Sequence, residues 1–409
     1  MHSALDTRSR SPFRQGWHTH GSKRGLLWCA ESRQRAASGI LLAQHRTRLE
    51  QPETMSIRLL ANVRGVTALT VFGILGASAL AGCRPPVPAA AVVPADQVIR
   101  PVETRKISFR YEVEVEEVPA TARRALLWVP IPPSGREQTV HRIRIDGGAP
   151  HVEVPEPRFG NRAMRFELTP GVPTQNIAIE FELTRHAPSP AAEANPLGEV
   201  NAKVDDPGAW LAPDRLVPID GFVDELARRI TAGEVEREAK ARAIYDYVVR
   251  EMSYDKSGSG WGNGDIYWAC DTKRGNCTDF HSLFIGCARA LGIPTRFEMG
   301  VPIPTDRSSG EIAGYHCWAQ FHLEDRGWVP VDASEAHKYP QKREFFFGGH
   351  DTDRILLSAG RDLVFEGMRS GPMNYFVYPH VEVDGEKWNR VNRRFSYRDI
   401  HKENRDGVS

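Results

Sequence analysis

The 409-residue chain carries almost no net charge, +1 with histidine neutral, and no basic stripe. What basic excess exists sits at the start. Residues 1–54 hold nine Lys and Arg against four Asp and Glu, and residues 55–83 add two Arg and no acid. Subtracting these from 53 and 52 leaves 42 basic and 48 acidic residues over 84–409, a body of net −6. A mildly acidic body without a basic face argues against a nucleic-acid partner. Apolar runs of membrane-span length are missing too: the run from Val66 to Ala81 is shorter than the ~20 residues a span needs. Cysteine is scarce, six in all. The spacing of Cys270 and Cys277, with an isolated His316, fits no short zinc pattern, and no calcium signature is present, so neither a metal nor a cofactor is expected.

What is present begins at Met55. Arg58 and Arg64 precede the apolar run, which ends Leu80-Ala81-Gly82-Cys83, the n-region, h-region and small-residue pattern of an export signal. The ending resembles a bacterial lipoprotein signal, which implies lipidation of Cys83, with a plain signal or a membrane anchor as the rivals. Residues 1–54, rich in Arg, Ser and His, are expected to be a non-native upstream leader without a fold; the alternative is a disordered arm before an internal signal. Pro85, Pro86, Pro88 and Pro94 make 84–101 a tether. The expected location is the bacterial cell envelope, lipid-anchored and facing the periplasm or exterior.

The next 90 or so residues alternate at strand period. Ile107, Phe109, Tyr111, Val113 and Val115 share one face of a strand over 106–118, and further strands are expected at 125–131, 141–145, 163–168 and 177–183. This gives a small β-sandwich at 102–190. Helices are expected at 221–230 and 234–251, the second with Ala243, Ile244, Tyr247 and Val248 as its apolar stripe. A loop rich in Gly, with Trp261, Tyr267 and Trp268, then leads to the stretch that carries the chemistry.

Gly275-Asn276-Cys277-Thr278-Asp279-Phe280 is a turn delivering a cysteine to a helix start, with Asn276 as N-cap. Behind it Phe280, Leu283, Phe284, Cys287 and Leu291 recur at helical period, and Gly292 and Pro294 stop the helix. The helix dipole there favours thiolate. Two strands follow, one with His316 and Trp318, the other running Gly327-Trp328-Val329-Pro330-Val331-Asp332. A thiol, an imidazole to take its proton and a carboxylate to fix the imidazole tautomer form a Cys277-His316-Asp332 set.

Four pieces of this stretch resemble the transglutaminase-like superfamily of papain-type thiol enzymes: Gly275 to Phe280, Leu291 to Arg296, Tyr315 to Trp318 and Gly327 to Asp332. The resemblance covers roughly Phe222 to Ala336 and implies that Cys277, His316 and Asp332 are the catalytic triad. It implies an α+β fold: a papain-like transglutaminase core at 205–340, with the cysteine helix packed on an antiparallel sheet, preceded by the sandwich. Residues 341–398 are expected to form a β extension of that core, with a strand over 375–383. The implied activity is acyl transfer or hydrolysis of amides through an acyl-thioester on a protein or peptide substrate, with hydrolysis and crosslinking both open. The other class of function is a catalytically silent envelope module that holds a peptide on the same fold. Oligomeric state is not legible.

Competing assignments stay open at this point. A Cys270–Cys277 disulfide would mask the nucleophile, whereas Cys287 and Cys317 are expected to be buried thiols. His281, one turn after Cys277, competes as base, and Asp279 is expected to serve the helix dipole. Trp261 or Trp268 competes for the oxyanion role beside the Cys277 N–H, as related enzymes use an indole there. Arg354 and Arg361 are expected in structural ion pairs, with contact to a substrate carboxylate as the alternative. A tight hairpin at 324–327 would set Asp332 out of register with His316, which calls for a bulge or a longer loop.

Overall fold

The computed structural model describes residues 103–187 and 206–400. The leader, the signal with Cys83 and the tether lie outside the described residues. Six strands come first: β1 (Thr104–Glu116), β2 (Ala125–Ile131), β3 (Gln138–Asp146), β4 (His151–Pro155), β5 (Arg162–Glu167) and β6 (Thr174–His186). Helices α1 (Phe222–Ile230) and α2 (Arg237–Glu251) follow, then β7 (Ser253–Tyr254), α3 (Ile266–Thr272), β8 (Arg274–Gly275) and α4 (Cys277–Ala290). The remainder is β9 (Thr295–Pro302), β10 (Ser309–Glu311), β11 (His316–Leu323), β12 (Gly327–Val331), α5 (Ala333–Lys338), β13 (Arg354–Ala359), β14 (His380–Val383), β15 (Glu386–Lys387) and β16 (Val391–Asp399).

The sandwich is built from both ends of the chain. One sheet has the order β10-β16-β1-β6-β3 and the other β15-β14-β2-β5-β4. All five alternating residues from Ile107 to Val115 are buried, and they share one apolar cluster with Leu127, Val129 and Ile131 of the facing sheet. Strand β16 pairs antiparallel with β1 along nine residues, and β14 pairs with β2. This corrects the expectation that 341–398 extends the catalytic core: only β13 joins the core sheet, while the last strands complete the sandwich. Their partners in β1 and β2 lie more than 250 positions away, and alternation gives a strand its faces but not its neighbour. The strand expected over 375–383 is confined to His380–Val383, following Pro379.

The core sheet has the order β12-β11-β9-β13. Helix α4 packs against it, and α2 brings Ala241, Ile244, Tyr245, Val248 and Val249 into the buried layer. That stripe replaces the expected one, since Ala243 and Tyr247 are only half-buried. The outer edge of β13 meets sandwich side chains instead of water. Gln138 exchanges hydrogen bonds with Leu356 (2.9 and 3.1 Å) and Asn161 with Ala359 (2.7 and 2.8 Å), so two amides act as a surrogate strand. The sandwich thereby fixes the sheet that carries His316.

Candidate active site

The turn before α4 sets the thiol. Asn276 Oδ1 accepts from Thr278 N at 2.9 Å, and Asp279 Oδ2 accepts from Asn276 N at 2.9 Å, a reciprocal capping box. Asp279 does more than complement the dipole: it also accepts Gly262 N (2.7 Å) and Gly264 N (3.0 Å), tying the glycine-rich loop to the helix start. Burial pushes its carboxyl above the ordinary range against these three donors. Gly275 has φ +148°, and a Cβ there would collide with the Asp279 carboxylate, so only glycine fits. Cys277, the first residue of α4, is 1% exposed.

His316 opens β11 and Asp332 follows β12. The hairpin between them is tight and unbulged, with Leu323 opposite Gly327 and Ala319 opposite Val331. Asp332 therefore stands one step further, opposite Trp318 and on the same face as His316, a diagonal neighbour within side-chain reach. No bulge is needed, contrary to the expectation from the turn. Pro330 is accommodated because β12 is an edge strand. His316 Nε2 meets Asp332 Oδ2 at 2.7 Å, which leaves Nδ1 for the Cys277 thiol, whose charge helps to raise the ring's pKa.

Four bonds hold Asp332. Oδ1 caps α5 by accepting from Glu335 N and Ser334 Oγ, both at 3.0 Å, and Oδ2 accepts from His316 and from Arg354 Nη1 at 3.0 Å. Arg354 is buried, lies 4.9 Å over the Trp318 ring and also reaches Asp351, an internal ion pair as the sequence suggested. Arg361 is buried too, but it donates to the neutral Gly264 O, Asn263 O, Ser282 and Asn374 and not to a carboxylate, so the ion pair expected for it gives way to hydrogen bonds. The electrostatics follow. Burial alone would lower His316, but the Asp332 carboxylate and the Cys277 sulfur hold it up at about 10. Burial opposes ionisation of Cys277 and Asp332, yet hydrogen bonds and the His316 charge carry both well below their ordinary values.

The rivals are placed as well. Among the described residues no disulfide joins Cys270 to Cys277, so no such bridge masks the thiol. His281 is buried, with Nδ1 2.8 Å from Cys277 O and Nε2 accepting from Ala333 N at 3.2 Å. These partners fix the Nδ1–H tautomer, and burial lowers its pKa, so it is a neutral structural imidazole. Trp261 Nε1 donates to Gly258 O at 3.2 Å. The sequence missed one neighbour. Cys317 does point away from His316, but that face of β11 is the one packed on α4. Its Sγ lies 3.8 Å from Thr278 Oγ1 and 3.7 Å from His281 Nδ1, beside the helix start that carries Cys277. Strand alternation separates two faces without saying which one the helix covers. Among the described residues, no group of three His, Cys, Asp or Glu is placed to hold a metal.

Residues 224–333 match the model of the transglutaminase-like superfamily. An uncharacterized protein of Haemophilus influenzae is 26% identical over 311 residues, 66% of this chain and 84% of that protein. Among solved structures, a proposed cysteine protease of Cytophaga hutchinsonii is similar at TM-score 0.49 and 14% identity, over 74% of this chain and 92% of that one. The periplasmic domain of TgpA from Pseudomonas aeruginosa is similar at TM-score 0.28 and 14% identity, over 58% and 90%. The segment that holds Cys277, His316 and Asp332 belongs to the transglutaminase-like superfamily.

Proposed function

We propose that the protein is an exported thiol enzyme that cleaves or exchanges amide bonds, with Cys277, His316 and Asp332 as its triad. The Cys277 thiolate adds to the carbonyl carbon, the C–N bond breaks as the His316 imidazolium gives its proton to the leaving amine, and an acyl-thioester forms. Water or a second amine then attacks, His316 takes its proton, and the C–S bond breaks to return the thiolate. Asp332 keeps the ring oriented and charged. The Cys277 N–H, at the start of α4 and without an acceptor among the described residues, is a donor for the oxyanion.

The single observation behind this reading is the charge arrangement at a buried site: a histidine held at about 10 between a carboxylate at 2.7 Å and a thiol held well below its ordinary value. Such a pair is an activated nucleophile at neutral pH. Export and lipidation at Cys83 belong to the same proposal and rest on the signal pattern at 55–83. No described helix is long and apolar enough to cross a membrane.

The test is acylation of the purified protein by p-nitrophenyl acetate. The expected result is a burst of p-nitrophenolate and an acetyl adduct on the peptide containing Cys277, both absent in Cys277→Ala. Adding an amine partitions the adduct between hydrolysis and transfer. Acetylation at other residues only, or none, contradicts the proposal.

A further inference from the structure

Beside Cys277 the acidic body turns cationic. Strand β7 pairs in parallel with β8, so Tyr254 lies opposite Gly275, two residues before the thiol. The Tyr254 ring packs on Phe280, one helical turn after Cys277, at a centroid distance of 6.1 Å. Lys338, the last residue of α5, holds its Nζ 4.0 Å over the Tyr254 ring. Lys256 Nζ lies 5.7 Å from the same ring and 6.0 Å from that of Trp261. Two ammonium groups thus share one aromatic platform, whose tyrosine is in register with the residue two before the thiol. Aromatic faces attract cations, and they hold long lysine side chains in place while leaving the heads wet.

The local charge count is positive. Arg274 is paired with Asp255 at 3.1 Å and Lys338 with Glu335 at 2.7 Å. Lys256 is exposed and, among the described residues, has rings for neighbours and no carboxylate in ion-pair range. Against burial, Glu335 chiefly holds the Lys338 ammonium up, with Tyr254 and the Cys277 charge adding to it. A negative group delivered beside the thiolate would meet Lys256 unpaired and could share Lys338 with Glu335.

We infer that Lys256 and Lys338 form a carboxylate-recognition subsite, and that the acyl donor is an acidic peptide bearing its carboxylate next to the amide that Cys277 attacks. The inference rests on the reading of Cys277 as nucleophile. It adds what that reading lacks, a basis for substrate choice that lies outside the triad. An exposed lysine over a ring selects by charge, so discrimination between an acid and its amide is the signature.

Iodoacetate and iodoacetamide isolate this property. Both react with the thiolate by displacing iodide, so the thiolate fraction cancels in the ratio of their rates at one pH, and only the charge of the reagent remains. The ratio is measured at Cys277 in the full-length protein, peptide by peptide, with 2-mercaptoethanol as reference. The expected result is a ratio above that of the reference, falling roughly fivefold in Lys256→Met and again in Lys338→Met, falling further in Lys256→Glu, and falling with added NaCl. A ratio that neither lysine substitution moves overturns the subsite while leaving the nucleophile intact. Failure of iodoacetamide itself to modify Cys277 at about pH 6 removes the catalytic reading, and the subsite with it.

Discussion

Asp332 Oδ2 stands 2.7 Å from His316 Nε2 although the two residues are not partners in the β11–β12 ladder. Asp332 lies diagonally across it, and capping α5 fixes its rotamer from the other side. Asp332→Asn tests the charge while keeping a good cap residue. His316 is expected to fall from about 10 toward its ordinary range, and turnover with any amide substrate to drop about 10³–10⁴-fold. Asp332→Ala also leaves the buried Arg354 with Asp351 as its remaining carboxylate and removes the α5 cap, so urea unfolding should show a further loss of about 3 kcal/mol.

His281 is the internal control. Its two ring nitrogens are engaged by Cys277 O and Ala333 N, and burial lowers its pKa. In nitrogen NMR it should remain a neutral Nδ1–H tautomer at pH values where an ordinary histidine, titrating near 6.5, is already protonated. His281→Ala is expected to cost about 1–3 kcal/mol by leaving the Ala333 N–H unpaired, and to leave the acid limb of Cys277 alkylation in place. A titrating His281 would reopen its claim as the base.

The cap of α4 predicts a stability effect coupled to the site. Asp279→Ala removes the acceptor of three backbone N–H groups, those of Gly262, Gly264 and Asn276. At about 1–3 kcal/mol for each stranded donor, a loss of at least ~3 kcal/mol is expected in denaturant unfolding. Gly275→Ala should act in the same direction, because its Cβ strikes the same carboxylate at φ +148°.

Stability should also follow pH through the triad. The folded-state His316 value, about 10, lies above the unfolded one, so its contribution is full below about 6.5 and is lost as pH rises through 10. Asp332 has the opposite sign: its folded value is depressed, so its contribution is present above about 3.9 and is lost as pH falls through the folded value. Cys277, also depressed, offsets His316 in the intact pair, so the sign is read without the thiol: the stability difference between Cys277→Ala and the Cys277→Ala/His316→Ala double variant, followed by urea unfolding, should shrink on the alkaline side. A difference that grows there contradicts the charged pair.

Much of the site was legible because it is local. Asn276, the period from Phe280 to Leu291 and the Gly292 stop describe α4 without tertiary information. The fold class was legible for the same reason. The partners of β14 and β16 were not, since pairing across the length of the chain leaves no local trace. The tight hairpin looked like a defect because diagonal contacts were left out of the count; register alone brings Asp332 to the face of His316. Cys317 was placed on the correct strand face, but only packing reveals that α4 covers it. Asp279 looked like a dipole carboxylate because its other partners lie in a loop without periodicity.

The central claim is the charged pair, and the pH dependence of Cys277 alkylation by iodoacetamide tests it most directly. The wild type is expected to react at about pH 5–6, far below the ~8.5 of a free thiol, and His316→Ala to move the profile up toward that value. An ordinary profile in both proteins, or a Cys277 that cannot be alkylated in either, would contradict the thiolate–imidazolium pair.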